Sequence, residues 1–128
     1  MTDIAGGARH VLVVEDDRGI RDLLVAVLRR EGYVVDSAED GAEAILAIGK
    51  TSYDAVLLDL MMPRTDGYDV IDHVVNNGPR VPIVVATAAV KSIRHDRLDP
   101  YIVKSIIRKP FDLTDVREAL FAATLRPA

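Results

Sequence analysis

The sequence predicts one α/β domain built on a doubly wound, five-stranded parallel sheet. Three observations carry this. Short apolar runs alternate with helix-period segments along the 128 residues, the pattern of repeated βα units. The apolar runs are continuous rather than alternating, as expected of strands covered by helices on both faces. The length suits a single domain that buries most of its apolar surface without staples, and no cysteine is present to supply any.

The elements follow in order. Val11-Leu12-Val13-Val14 is the first strand. Ile20, Leu23, Leu24, Val27 and Leu28 fall at i, i+3, i+4, i+7 and i+8, one apolar stripe on a helix. Arg29-Arg30 suit its C-terminal end and Gly32 stops it. Tyr33 to Ser37 is the second strand, and Ala44, Ile45 and Ile48 mark a short helix near 40–50. Tyr53 to Leu58 is the third strand. Asp66-Gly67 makes a turn, after which Val70, Ile71, Val74 and Val75 form two i, i+4 pairs on a third helix. Asn77-Gly78-Pro79 ends that helix.

Val81 to Ala86 is the fourth strand. Segment 90–100 is weakly patterned; Val90, Ile93 and Leu98 allow a fourth helix, closed by Asp99-Pro100. Ile102 to Arg108 contains the fifth strand. Asp112 suits the N-cap of a last helix with Leu113, Val116, Leu120 and Phe121 inward. This makes five βα units and five helices. In such sheets ligands sit beyond the carboxyl ends of the strands at the topological switch point. For the flavodoxin-like order 2-1-3-4-5, that point lies between strands one and three.

Composition narrows the function. No apolar stretch approaches the roughly 20 residues of a membrane span. The start, Met1 to Gly7, has neither the basic segment nor the apolar core of a signal peptide, so a cytoplasmic protein is expected. A net charge of −4 argues against nucleic-acid binding by the chain as a whole. Six basic residues do cluster between 91 and 109 (Lys91, Arg94, Arg97, Lys104, Arg108 and Lys109), against Asp96 and Asp99. The plain reading is a solvated face; the functional one is a docking face for an acidic protein partner. DNA contact is not expected of a patch this short that carries its own acids. One domain over 1–128 is expected, with its core at about 9–125 and no output domain.

The chemistry is concentrated where apolar runs end. Glu15-Asp16-Asp17 follow the first strand, Asp59 the third, Thr87 the fourth, and Lys109-Pro110 the fifth. A buried carboxylate is costly unless paired. Carboxylates about 4 Å apart repel by roughly 4 kcal/mol at an effective dielectric near 20, so Glu15, Asp16 and Asp59 call for a cation or a proton. Oxygen donors without His or Cys suit Mg²⁺. His10, His73 and His95 are scattered away from the strand ends. Asp17 and Asp40 read more simply as caps of the helices that follow them.

Taken together, Val13-Val14-Glu15-Asp16-Asp17, Asp59 within Leu57-Leu58-Asp59-Leu60-Met61-Met62-Pro63, Asp66-Gly67, Thr87-Ala88 and Lys109-Pro110-Phe111 resemble the motif set of response-regulator receiver domains of two-component signalling, the CheY-like family. The resemblance runs from about Arg9 to Leu125. It implies that Asp59 is the phosphoacceptor, taking a phosphoryl group from a histidine kinase or phosphotransfer protein as an acyl phosphate. It implies a Mg²⁺ ion held by Asp16, Glu15, Asp59 and the backbone carbonyl of Met61. Thr87 would hydrogen-bond a phosphoryl oxygen, and Lys109 would pair with the phosphoryl group, its bond to Pro110 being cis. The protein would then be a binding module and switch rather than a turnover enzyme. It would act on a downstream effector through a face formed by the fourth helix, fifth strand and last helix, where a phosphorylation-dependent homodimer is also open.

Several positions depart from the family pattern. Ile106 stands where many receivers carry an aromatic switch residue, and reads as a buried core side chain. Segment 91–105 lacks the usual small-residue loop. Met61 and Ala89 occupy the positions that tune phosphoryl lifetime, and neither side chain can orient a water. A haloacid-dehalogenase-type phosphohydrolase would want a second Asp where Met61 stands. A nucleotide- or flavin-binding protein would want a phosphate loop where Glu15-Asp16-Asp17 repel anions. A receiver-like scaffold that no longer uses phosphorylation is the remaining alternative.

Overall fold

A computed structural model describes residues 7–62 and 66–125. Pro63 of the third-strand motif and the chain ends discussed above lie outside the described residues. The elements are β1 (His10–Val14), α1 (Arg18–Arg30), β2 (Val34–Ala38), α2 (Gly41–Lys50), β3 (Ala55–Asp59), α3 (Gly67–Asn77), β4 (Ile83–Thr87), β5 (Val103–Arg108) and α4 (Leu113–Ala123). Two single 3₁₀ turns, Val90–Ser92 and His95–Arg97, lie between β4 and β5. The strands form one parallel sheet in the order β2-β1-β3-β4-β5, as the sequence predicts.

Period-2 geometry sends successive strand residues to opposite faces, and two cores result. Leu12, Val14, Val56, Leu58, Ile83 and Val85 pack under α2 and α3, with Ala44, Ile48, Val70, Ile71 and Val74. Val11, Val13, Leu57, Val84, Ala86 and Ile107 pack under α1 and α4, with Leu24, Leu28, Val116 and Leu120. Each fully buried Leu, Ile or Val contributes roughly 1.5–3 kcal/mol of burial free energy. Caps punctuate the helices. Asp17 accepts from Ile20 N and Asp40 from Glu43 N, while Asp66 and Asp69 form a reciprocal capping box on α3. Gly32 (φ 97°) and Gly78 (φ 64°) close α1 and α3 in the left-handed region that glycine alone enters cheaply.

The helix count and four side-chain expectations are corrected. The five helices become four among the described residues. Segment 90–98 makes i→i+3 bonds instead, Ser92 N to Ala89 O (2.9 Å) and Leu98 N to His95 O (3.1 Å). Only Ile93 and Leu98 there touch the core, and partly, so no apolar stripe offsets helix nucleation. Phe121 is exposed, as are Leu23 and Val75 at the edges of their stripes. Ile106 is 39% exposed rather than buried. A register shift in the β4–β5 pairing sets Ile106 beside Val85, on the α2–α3 face, and β5 is the edge strand with no outer neighbour.

Candidate active site

The strand ends finish in step, and this builds the site. Val14 pairs with Leu58, Asp59 with Ala86, and Thr87 with Arg108, so their successors emerge side by side at one edge. Asp59 is the last residue of β3 and Thr87 the last of β4; Glu15 follows β1 and Lys109 follows β5. Glu15, Asp59 and Thr87 are buried, whereas Asp16 is exposed.

Lys109 Nζ donates to Glu15 Oε1 (2.5 Å) and to Asp59 Oδ2 (3.2 Å). Asp59 Oδ1 accepts from Met61 N (3.0 Å), which fixes the carboxylate and the loop after it. The second Glu15 oxygen accepts from Asp17 N (3.2 Å). Lys109 N donates to Thr87 O (2.9 Å), and the Lys109–Pro110 bond is cis, as the resemblance implies. Thr87 Oγ1 accepts from Ala89 N (3.1 Å). Met61 lies directly beyond β3 with its side chain in solvent, so its residue type places no demand on the site. Ala88 is exposed and small, leaving the approach to Thr87 open.

Carboxylate oxygens of Glu15, Asp16 and Asp59 lie within 4.8 Å of one another. One ammonium does not neutralise three acids, and the electrostatics respond. Burial pushes Glu15 from 4.5 up to about 7, against the lowering effect of its Lys109 bond. Burial also raises Asp59, again opposed by Lys109. For Lys109, burial works against the charge, but the bonds and charges of Glu15 and Asp59 outweigh it and the ammonium is held above its ordinary range. The oxygen-only donor set fits a hard divalent cation: these carboxylates and the Met61 carbonyl would hold it. In a second acidic group, Asp40 accepts from Glu43 N and Glu43 from Glu39 N at the start of α2, while Glu39 is exposed.

All the residues singled out from the sequence therefore stand at or beside this edge. Two supporting residues were not singled out. Arg21 Nη1 donates to the carbonyls of Glu15 (2.8 Å) and Asp16 (3.4 Å), tying the acidic loop to α1; an Arg one helical turn after an acidic triplet is the signal for it. Gly67, read only as part of a turn, lies against the end of β3. A Cβ there would be 2.7 Å from both Asp59 O and Leu60 Cα. Within the basic cluster, Lys109 belongs to the site and Arg97 is held by Asp72 (2.5 Å), so the free positive face is smaller than the sequence suggests.

A family model described as the response regulator receiver domain matches residues 11–121. Response regulator MprA of Mycobacterium sp. (strain KMS) is 46% identical over 79 residues, 62% of this chain and 34% of that protein. The chain thus spans about a third of the length of the curated relatives it matches. Among solved structures, response regulator TrrA of Thermotoga maritima, in complex with Mg²⁺-BeF, is 31% identical with a TM-score of 0.76, over 90% of this chain and 98% of that one. The receiver domain of sensor histidine kinase PA1611 from Pseudomonas aeruginosa PAO1, with a magnesium ion coordinated in its active site cleft, is 28% identical with a TM-score of 0.81, over 92% and 98%.

Proposed function

The chain belongs to the response regulator receiver domain family of two-component signalling, and from that premise we propose that it is a phosphorylation-controlled switch whose acceptor is Asp59. The observation that carries this is the convergence of Asp59, Glu15 and Lys109 through direct hydrogen bonds at the end of a parallel sheet. An Asp59 oxygen attacks phosphorus, the bond from phosphorus to the donor breaks, and the donor leaves as a carboxylate or a neutral imidazole. The product is an acyl phosphate. A carboxylate needs no general base, so the task is positioning and charge compensation. Lys109, already 3.2 Å from Asp59 Oδ2, pairs with the arriving charge. Thr87 offers its hydroxyl to a phosphoryl oxygen. A Mg²⁺ ion held by Glu15, Asp16 and Asp59 would supply further positive charge to the site.

The donor is a histidine kinase or phosphotransfer protein, and the readers are downstream effector proteins or a second copy of the chain. The protein acts in the cytoplasm as a binding module, not a turnover enzyme. No helix among the described residues is long and apolar enough to cross a membrane. The test is incubation with Mg²⁺ and acetyl phosphate followed by intact mass measurement. One added phosphoryl group per chain supports the switch. Continuous phosphate release supports a hydrolase, and no adduct supports a scaffold.

Two predictions follow from the site's chemistry. Glu15 is raised to about 7, so the metal-free fold binds a proton that the unfolded chain does not. Its stabilising share is full below 4.5 and is lost as pH rises through about 7. Mg²⁺ favours the ionised form and reverses this. Titration calorimetry near pH 7 in two buffers of different ionisation enthalpy should register about half a proton released per ion from Glu15; equal heats in both would show none. The second concerns lifetime. The Met61 side chain points to solvent and Ala89 has no polar group to direct a water, so the acyl phosphate should persist for minutes or longer. Loss of the added mass within seconds would overturn this.

A further inference from the structure

Besides the partial packing of Ile93 and Leu98, segment 89–98 has two polar attachments, and both lead back to the residues around Asp59. The first is Thr87 Oγ1, which accepts from Ala89 N (3.1 Å). The second is α3. Tyr68 Oη accepts from Arg94 N (2.8 Å), the Arg97 guanidinium stacks 4.8 Å from the centre of the Tyr68 ring, and Arg97 Nη2 donates to Asp72 Oδ2 (2.5 Å) with Asp69 at 3.9 Å. Tyr68 is 7% exposed and is the second residue of α3. The residue before it, Gly67, donates to Leu60 O (3.1 Å) and abuts the Asp59 carbonyl. Between the attachments no residue of either 3₁₀ turn is buried, and the turns are held by i→i+3 bonds alone. Such a segment belongs to the low-stability end of a fold.

We propose that Tyr68, Arg97 and Asp72 form a latch holding segment 89–98 in its unphosphorylated arrangement, and that this segment, rather than an aromatic side chain on β5, carries the state of Asp59 to the surface. The proposal rests on Asp59 being the phosphoacceptor. When Thr87 swings its hydroxyl oxygen to a phosphoryl oxygen, Ala89 N loses its acceptor and the segment keeps the latch and the partial packing of Ile93 and Leu98. Ile106 on β5 is half in solvent and has no group to relay the change. Arg97 is therefore a positioning residue: it touches neither Asp59 nor its partners, yet sets the equilibrium of the element that responds to them.

Amide hydrogen exchange over 89–98, with and without Mg²⁺ and acetyl phosphate, tests this alongside intact mass. In the parent protein, phosphorylation should speed exchange there by at least about fivefold, the lower end of ordinary coupling between sites. Arg97→Met, which keeps the stem but loses the ion pair and the stacking charge, should show that faster exchange without phosphate. Tyr68→Phe keeps the ring and loses the acceptor for Arg94 N, so it should fall between. Arg94→Ala keeps the backbone donor and should match the parent. A phosphoryl group on Asp59 with exchange in 89–98 unchanged would overturn the latch and leave the switch standing. Parent-like exchange in Arg97→Met would overturn it too. Absence of any adduct would overturn both.

Discussion

Asp59→Asn should abolish phosphoryl uptake from acetyl phosphate, leaving the mass of the treated protein unchanged. The amide is a poor nucleophile, and among the described residues Glu15 is the other buried carboxylate bonded to Lys109. Glu15 shares Lys109, but it reaches the edge from β1 and its second oxygen is engaged by Asp17 N. The fold should survive. The Asn oxygen can still accept from Met61 N, and Lys109 retains Glu15. Removing the Asp59 charge also removes one of the influences that raise Glu15, so its titration should move down from about 7. Intact mass spectrometry and a circular dichroism melt check both parts. An adduct at parent stoichiometry would place the acceptor elsewhere.

Gly67→Ala should be the most damaging single-methyl change in the chain. The added carbon would lie 2.7 Å from Asp59 O and 2.7 Å from Leu60 Cα. Both obstacles are backbone, so no side chain can rotate away and α3 must back off β3. We expect a loss of about 3 kcal/mol, at the upper end of ordinary overpacking, and a fall in Tm on the order of 10 °C. Because the displaced strand end carries Asp59, phosphorylation should slow by roughly 100-fold, the order of effect expected when a reacting group shifts by about 1 Å. Gly49 in α2 is the contrast. Nothing lies within 4 Å of a Cβ there, so Gly49→Ala should stabilise by about 0.5 kcal/mol through helix propensity. Paired thermal melts and phosphorylation rates decide the matter; equal melts for the two variants would show that the close approach at position 67 is not real.

The site was legible because each of its residues ends an apolar run. A strand-end carboxylate such as Asp59, and a strand-end lysine such as Lys109, stand out against Val, Leu and Ile, and a parallel sheet brings such ends together. Asp17 and Asp40 announced their caps for a similar local reason, whereas Asp66 was read as a turn and caps α3. What was not legible depends on distant contacts. Ile106 has the composition of a core residue, but its exposure follows from a register shift against Ile83 and Val84 and from its place on the edge strand. Leu23 and Phe121 fit helical stripes, yet are exposed, outside the buried positions Leu24, Leu28, Val116 and Leu120 of the same helices. The Arg97–Asp72 pair joins residues 25 apart, and nothing local marks either of them. Segment 90–100 lay between the two cases: its three apolar residues permit a helix but do not demand one.

The sheet divides the interior into two separate packing compartments, and this bears on who can sense the switch. Tyr68 and the half-buried Ile93 and Leu98 belong to the compartment with α2 and α3. Helices α1 and α4 rest on the other, whose side chains come from alternate strand positions. A rearrangement confined to the first leaves the second undisturbed. A molecule seated over α3 would thus meet the compartment that carries Tyr68, Ile93 and Leu98, while one on the α1–α4 layer would meet the compartment whose strand positions, through Leu57, Ala86 and Ile107, run on into Asp59 and Lys109.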